Sequence, residues 1–177
     1  MTDSRTRPLS ETDWQIFRDL RLEALRESPD SFVASHDEES QYDEQTWRER
    51  IRNARWFVAE RKGEPVGIAG LEAFEQDDEA SEVFGLWVVP QERGSRVAWK
   101  LVQAAAEQAA ADERKRLYFW VGSDNGAAVA FASAFGFRPT SERRTVGVDD
   151  RGEDEQEAAM VLSLGPDPSS VANPWFS

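Results

Sequence analysis

The sequence predicts an α/β fold: a mixed sheet with helices on both faces. Three observations predict it. Helical and strand-like stretches alternate in the order helix, hairpin, strand, helix, strand, helix, hairpin. A loop containing Gly94 turns an apolar strand directly into an Ala-rich helix. The chain has 177 residues, the size of one ordinary domain, and its 40% hydrophobic content includes seven Trp and ten Phe, enough for a core.

Each element follows from local pattern. Trp14, Phe17, Leu20 and Ala24 fall at helical spacing and predict a helix over 14–27, capped by Thr12 and Asp13 and stopped by Ser28-Pro29. The stretch "DSFVASHDEESQYDEQTW" is polar and reads as irregular, with a second short helix over 44–52. "RWFVAERKGEPVGIAGL" reads as a hairpin with strands at 56–60 and 65–71, Gly63 supplying the turn. Residues 75–80 form an acidic connection, and "SEVFGLWVVP" is a buried strand ended by Pro90. Residues 95–111 predict a helix with Ala98, Leu101, Val102, Ala105 and Ala109 as its apolar stripe. "RLYFWVG" is a strand, and Asn125 caps a helix with Ala128, Phe131, Ala132 and Phe135 on one face, ended by Gly136. Strands near 138–146 and 156–164 complete the set, joined by the turn "DDRGED". The organisation is one domain over 1–165 and a Pro-rich tail over 166–177, where Trp175 and Phe176 could dock on the body.

Composition narrows the function classes. There are no cysteines, which excludes disulfides, thiolate metal sites and a Cys nucleophile, and no metal is expected. No run of about 18 apolar residues exists, so no membrane span is expected. The start lacks an apolar leader, and a cytoplasmic location is the expectation. Asp and Glu number 34 against 21 Lys and Arg, a net charge of −13, which argues against a nucleic-acid partner. The acidity serves solubility or attracts a cationic substrate.

The strand-loop-helix at "PQERGSRVAWKL" carries the strongest chemical signal. A helix N-terminus offers unpaired N–H groups and partial positive charge. Small residues before it let those groups reach an anion. Gly94 and Ser95 are small, Arg93 and Arg96 add charge, and a pyrophosphate would suit the loop. No Gly-Lys-Ser/Thr follows, so it is not the nucleoside-triphosphate loop, and it lacks the three glycines of the dinucleotide fingerprint.

Four segments together resemble the GNAT superfamily of acetyl-CoA-dependent N-acetyltransferases, bacterial type. "WVVPQERGSRVAWKLV" resembles the family's strand-loop-helix, whose pattern of Gln or Arg, Gly, and Gly or Ala falls on Arg93, Arg96 and Ala98. "LYFWVGSDNGAAVAFASAFGF" resembles its following strand and helix, with Asn125, Gly136 and Phe137 in place. "RPLSETDWQIFRDLRLEAL" and "EAAMVLSLG" resemble the first strand and helix and the last strand. The resemblance spans residues 5–165. It implies a mostly antiparallel central sheet splayed between two central strands, with acetyl-CoA as co-substrate in the opening. Its pantetheine arm would pair with backbone at Trp87 and Val88, its pyrophosphate would sit on Arg93, Gly94, Ser95, Arg96, Val97 and Ala98, and Asn125 would contact it near the arm. A primary amine of a small molecule or a protein or peptide would attack the thioester directly. A homodimer is a common arrangement in the family.

Two departures bear on activity. Arg96 stands where the family prefers Gly. Either its side chain points outward and its guanidinium reaches a phosphate, or it blocks the loop. Seven residues after Asn125, where many members carry a Tyr acid, stands Ala132.

Direct attack needs a neutral amine and so a base. Glu82, early in the central strand, is the first candidate, against an ordinary edge carboxylate. Asp124 is a second, against a turn residue. His36, the only histidine, could face the acceptor, against an exposed loop position. Tyr118 and Trp120 alternate with Phe119 and read first as core. Phe32, His36, Tyr42 and Trp56 could wall an apolar acceptor, and Glu38, Glu39 and Glu72 could attract a cation. The competing reading is a GNAT body with weak catalysis that binds acyl-CoA or a partner. A third is an acetyltransferase acting on charged tRNA, which the acidity opposes.

Overall fold

The computed structural model describes residues 4–27, 35–148 and 151–165. The chain runs β1 (Arg5–Pro8), α1 (Trp14–Glu27), α2 (His36–Glu39), α3 (Glu44–Asn53), β2 (Arg55–Arg61), β3 (Glu64–Ala73), β4 (Ala80–Val88), α4 (Val97–Ala111), β5 (Arg116–Gly122), α5 (Gly126–Phe135), β6 (Arg138–Val148) and β7 (Asp154–Ser163). The seven strands neighbour one another in the order β1-β2-β3-β4-β5-β7-β6, mostly antiparallel, with β4 and β5 parallel. This is the mixed α/β class that the sequence predicts. Among the described residues no helix is long and apolar enough to cross a membrane. The chain divides into two compact units, one holding residues up to 72 and 85–105, the other 73–84 and 106 onward.

In the first unit, α1 occupies the expected span and buries Phe17, Leu20, Ala24 and Leu25. Its entry differs from expectation. A 3-10 turn over Glu11–Asp13 precedes it, and the Asp13 carboxylate accepts from both the N–H and the hydroxyl of Ser10. The stretch expected to be irregular forms α2, capped by Ser35, and α3 is capped by Asp43 through the Thr46 N–H. The hairpin of β2 and β3 turns on Lys62 and Gly63, both at positive φ (53° and 79°), as a tight two-residue turn requires. Gly67 lets α4 lie close on β3: a Cβ there would meet Leu101 at 3.0 Å, the Trp87 carbonyl at 3.1 Å and Val97 at 3.2 Å.

In the second unit, β4 and β5 form a parallel ladder of four pairs, from Ala80–Arg116 to Val83–Phe119. β5 continues to Gly122, paired with β7 throughout. Phe119 packs on Phe137 and meets Phe131 edge-on, on the α5 side. The opposite face of β5 carries Tyr118 stacked on Phe74 at 4.1 Å and buried Trp120. α5 is capped by Asn125 and closed by Gly136 at φ 122°, as expected. Two strand ends reach beyond their expected limits, β6 to Val148 and β7 back to Asp154. The expected docking of Trp175 and Phe176, and the stop at Ser28-Pro29, lie outside the described residues.

Candidate active site

The loop between β4 and α4 is built by backbone geometry. At Gly85 of β4 φ is 62°, and a Cβ there would meet the Trp56 ring at 2.9 Å. From there to Val88 one edge of the strand faces β3, with the Val89 N–H donating to the Val66 carbonyl. The ladder to β5 has already ended at Val83, so the other edge of 85–88 has no strand partner among the described residues. A 3-10 turn over Pro90–Glu92 follows, then Gly94 at φ 84° and Arg96 at φ 70°.

The helix begins at Val97, two residues later than expected, and Ser95 and Arg96 belong to the loop. The reason is Arg96. Its carbonyl accepts the first helical bond, from Lys100, which makes it the N-cap residue. Its backbone is left-handed, a conformation that costs an L-residue with a Cβ about 1–2 kcal/mol. An arginine side chain has donors only, so it cannot cap the helix. The N–H groups of Gly94, Arg96, Val97 and Ala98 consequently have no acceptor among the described residues. Ser95 is turned inward, its hydroxyl donating to the Glu92 carbonyl. The loop thus presents amides of the kind that hold an anion.

The two arginines stand differently from each other. The Arg93 guanidinium is already paired: NH1 and NH2 lie 3.2 and 2.8 Å from the Glu27 carboxylate, and Nε donates to the Val88 carbonyl at 3.1 Å. Arg96 has no carboxylate partner among the described residues, and its guanidinium lies over the Trp99 ring, 5.6 Å from the centroid. Trp87 is buried, and its indole N–H donates to Glu27 at 3.0 Å. No sequence signal pointed to Glu27, since it meets this loop across 66 residues of chain.

In the second unit, Glu82 is half-buried and accepts the Trp120 indole N–H at 2.9 Å. Arg144 lies over Trp120, 4.4 Å from the ring centroid, and pairs with Glu157. Burial, with Asp77 nearby, pushes the Tyr118 hydroxyl above the ordinary tyrosine range. Asp124 is exposed. Asn125 is exposed, and its side-chain oxygen accepts from the Ala128 N–H at 3.1 Å. Ala132 is fully buried, and its carbonyl accepts from Gly136 and Phe137, so this position offers no acid.

The acceptor expectations fare unevenly. Phe32 lies outside the described residues. Trp56 is not a surface wall: it is 2% exposed and packs on Phe17 at 4.6 Å. Glu39 is not a surface anion either. It is 1% exposed and takes hydrogen bonds from Arg21 (3.0 and 3.1 Å) and Arg50 (2.6 Å). Burial alone would raise its carboxyl, but these two arginines outweigh that and hold it below the usual carboxylate range. Tyr42 lies beside Trp47, with Arg50 over its ring. His36 begins α2, half-buried, with its Nε2 3.2 Å from Arg26. Glu38 is exposed and Glu72 half-buried.

Known proteins place this arrangement. The acetyltransferase (GNAT) family signature matches residues 14–137. An uncharacterized N-acetyltransferase of Methanocaldococcus jannaschii is 30% identical over 86 residues, which are 46% of this chain and 38% of that protein's length. The fold is similar to that of an N-acetyltransferase from Staphylococcus aureus Mu50, with a TM-score of 0.73 and 20% identity over 92% of this chain and 99% of that one. It is also similar to a putative acetyltransferase from Salmonella typhimurium solved with its cofactor acetyl-CoA, with a TM-score of 0.72 and 18% identity over 96% and 99% of the two chains. With the signature covering most of its length, the chain belongs to the acetyltransferase (GNAT) family.

Proposed function

We propose that this protein is an N-acetyltransferase that moves an acetyl group from acetyl-CoA to a primary amine of a small molecule or a protein or peptide. One observation carries the reading: the edge of β4 over 85–88, which has no strand partner among the described residues, runs into a loop whose amides at 94 and 96–98 have no acceptor among those residues. The strand edge offers peptide groups to a pantetheine arm at Trp87 and Val88. The amides, with the Arg96 guanidinium, offer a pyrophosphate both hydrogen bonds and charge. Asn125 keeps its side-chain amide N–H₂ for the arm while its oxygen caps α5.

In this reading the amine nitrogen attacks the thioester carbonyl carbon. The carbon–sulfur bond breaks, its electron pair leaves on sulfur, and the sulfur is protonated from water. Glu82 takes the proton of the attacking amine, directly or through water. Its hydrogen bond from Trp120 fixes the carboxylate. A cationic acceptor is in keeping with the acidic chain, with His36 and Glu72 as candidate contacts. We place residues 1–165 in one catalytic domain with 166–177 as a tail, in the cytoplasm, with a homodimer as the expected assembly.

Calorimetric titration with acetyl-CoA and desulfo-CoA tests the pocket, and an amine screen then tests turnover. Glu82→Gln is expected to lower kcat by about 100-fold while cofactor affinity holds. An unchanged kcat would remove Glu82 from the mechanism. One observation favours a second reading, a weakly catalytic acyl-CoA binder: buried Ala132 supplies no acid. Cofactor binding with no turnover across the amine panel would select it.

A further inference from the structure

We infer that Glu27, acting through Arg93, is the positioning residue that holds the end of β4 and the loop after it in the shape that takes the cofactor pyrophosphate. The inference rests on the acetyl-CoA reading above and adds a residue that the family pattern does not mark. The geometry is a closed ring of hydrogen bonds. Glu27, the last residue of α1, accepts from the Trp87 indole on β4 and from both terminal nitrogens of Arg93 in the loop. Arg93 Nε returns to the carbonyl of Val88, beside Trp87. One carboxylate therefore gathers the strand end and the loop, and the planar fork of Arg93 fixes the angle between them.

This assigns Arg93 a different part from that of a phosphate ligand. Its terminal nitrogens face a carboxylate, and a phosphate brought to them would meet that like charge. Arg96 is then the loop guanidinium that is open to the ligand. The pair is also half-exposed, at 47% for the Arg93 side chain and 32% for Glu27, so it adds little to overall stability. Its effect is local geometry.

The charge makes the test sign-specific. Glu27→Gln keeps the size and the acceptor for Trp87 but releases the Arg93 charge. A phosphate ligand so released would bind acetyl-CoA more tightly; a clamp so loosened binds it more weakly. We expect Glu27→Gln and Arg93→Ala each to weaken acetyl-CoA and desulfo-CoA in calorimetry by about tenfold, the scale of one coupled charged pair. The double variant should bind no more weakly than Arg93→Ala alone. Arg93→Lys, which keeps the charge and loses the fork, should weaken binding like Arg93→Ala. Thermal midpoints should all stay near wild type, which separates positioning from a general structural role. Equal or tighter binding by Glu27→Gln, additive losses in the double variant, or full rescue by Arg93→Lys overturns the clamp. So does a fall in thermal midpoint that accounts for the lost binding. Absence of binding in the wild type itself sinks the acetyl-CoA reading and the clamp with it, whereas wild-type binding with an unaffected Glu27→Gln sinks the clamp alone.

Discussion

Two of the chain's passages from strand through loop to helix, at β4–α4 and at β5–α5, end oppositely. At α5 the N-cap residue is Asn125, whose side-chain oxygen takes the Ala128 N–H, so the helix satisfies one of its own first amides. At α4 the N-cap residue is Arg96, in a left-handed backbone and with no acceptor to offer, so the first amides have no acceptor among the described residues. A helix N-terminus is thus not an anion site by itself. In the function we propose, it becomes one where the side chain that would close it is withheld and the loop is held in place by other means.

This contrast can be broken at its root by giving α4 the cap it lacks. Arg96→Asp places an acceptor on the helix amides and a negative charge where the phosphates would lie, and aspartate tolerates the left-handed backbone. Acetyl-CoA affinity should fall by about 100-fold, near the upper range for one charged hydrogen-bonding group. An unchanged dissociation constant would show that the amides do not hold the cofactor. The next largest effect belongs to Gly67→Ala, which pushes a methyl to within 3.0–3.2 Å of Leu101, the Trp87 carbonyl and Val97. We expect about 2 kcal/mol of lost stability in urea unfolding, as for an overpacked core. A neutral result would mean that α4 shifts easily on β3.

Asn125 sharpens the comparison from the other side. Asn125→Ala should cost about 1 kcal/mol by removing the α5 cap. Asn125→Asp keeps that cap but exchanges the N–H₂ donor for an acceptor. If it keeps stability yet loses acetyl-CoA affinity, the amide reaches the cofactor; if it keeps both, Asn125 only caps. The smallest effect is expected at Arg96→Gly, which relieves the left-handed strain and should raise stability by up to about 1 kcal/mol. The loop amides should still bind the cofactor, more weakly by the contribution of the lost guanidinium, and loss of all binding would make that guanidinium indispensable.

The elements were legible because periodicity and capping are local: α1, α3, β5 and α5 stand within a residue of their expected spans. The loop was legible as a candidate phosphate site from Gly94 and the charges around it. The role of each arginine was not. Arg93 is engaged by Glu27, and nothing in a linear sequence brings position 27 to position 93. The misplacement of Ser95 and Arg96 in the helix has a similar origin, since helical spacing of the apolar residues continues through them while one backbone angle does not. Glu39 read as a surface acid because acidic neighbours flank it, yet Arg21 and Arg50 converge on it from α1 and α3. Gly85 carried no signal of its own, because its positive φ answers to a Trp56 ring that comes from another strand.

The span of the Glu27–Arg93 contact also has a kinetic meaning. Closing 66 residues of chain is entropically costly, and that cost must be met before the contact contributes anything. The loop therefore takes its final shape only after α1 has docked, and a growing chain completes it late even though α4 is ready to coil as soon as it is made. A protein shortened from its start through residue 27 would be expected to retain a helical α4 and still fail to gather the loop before it.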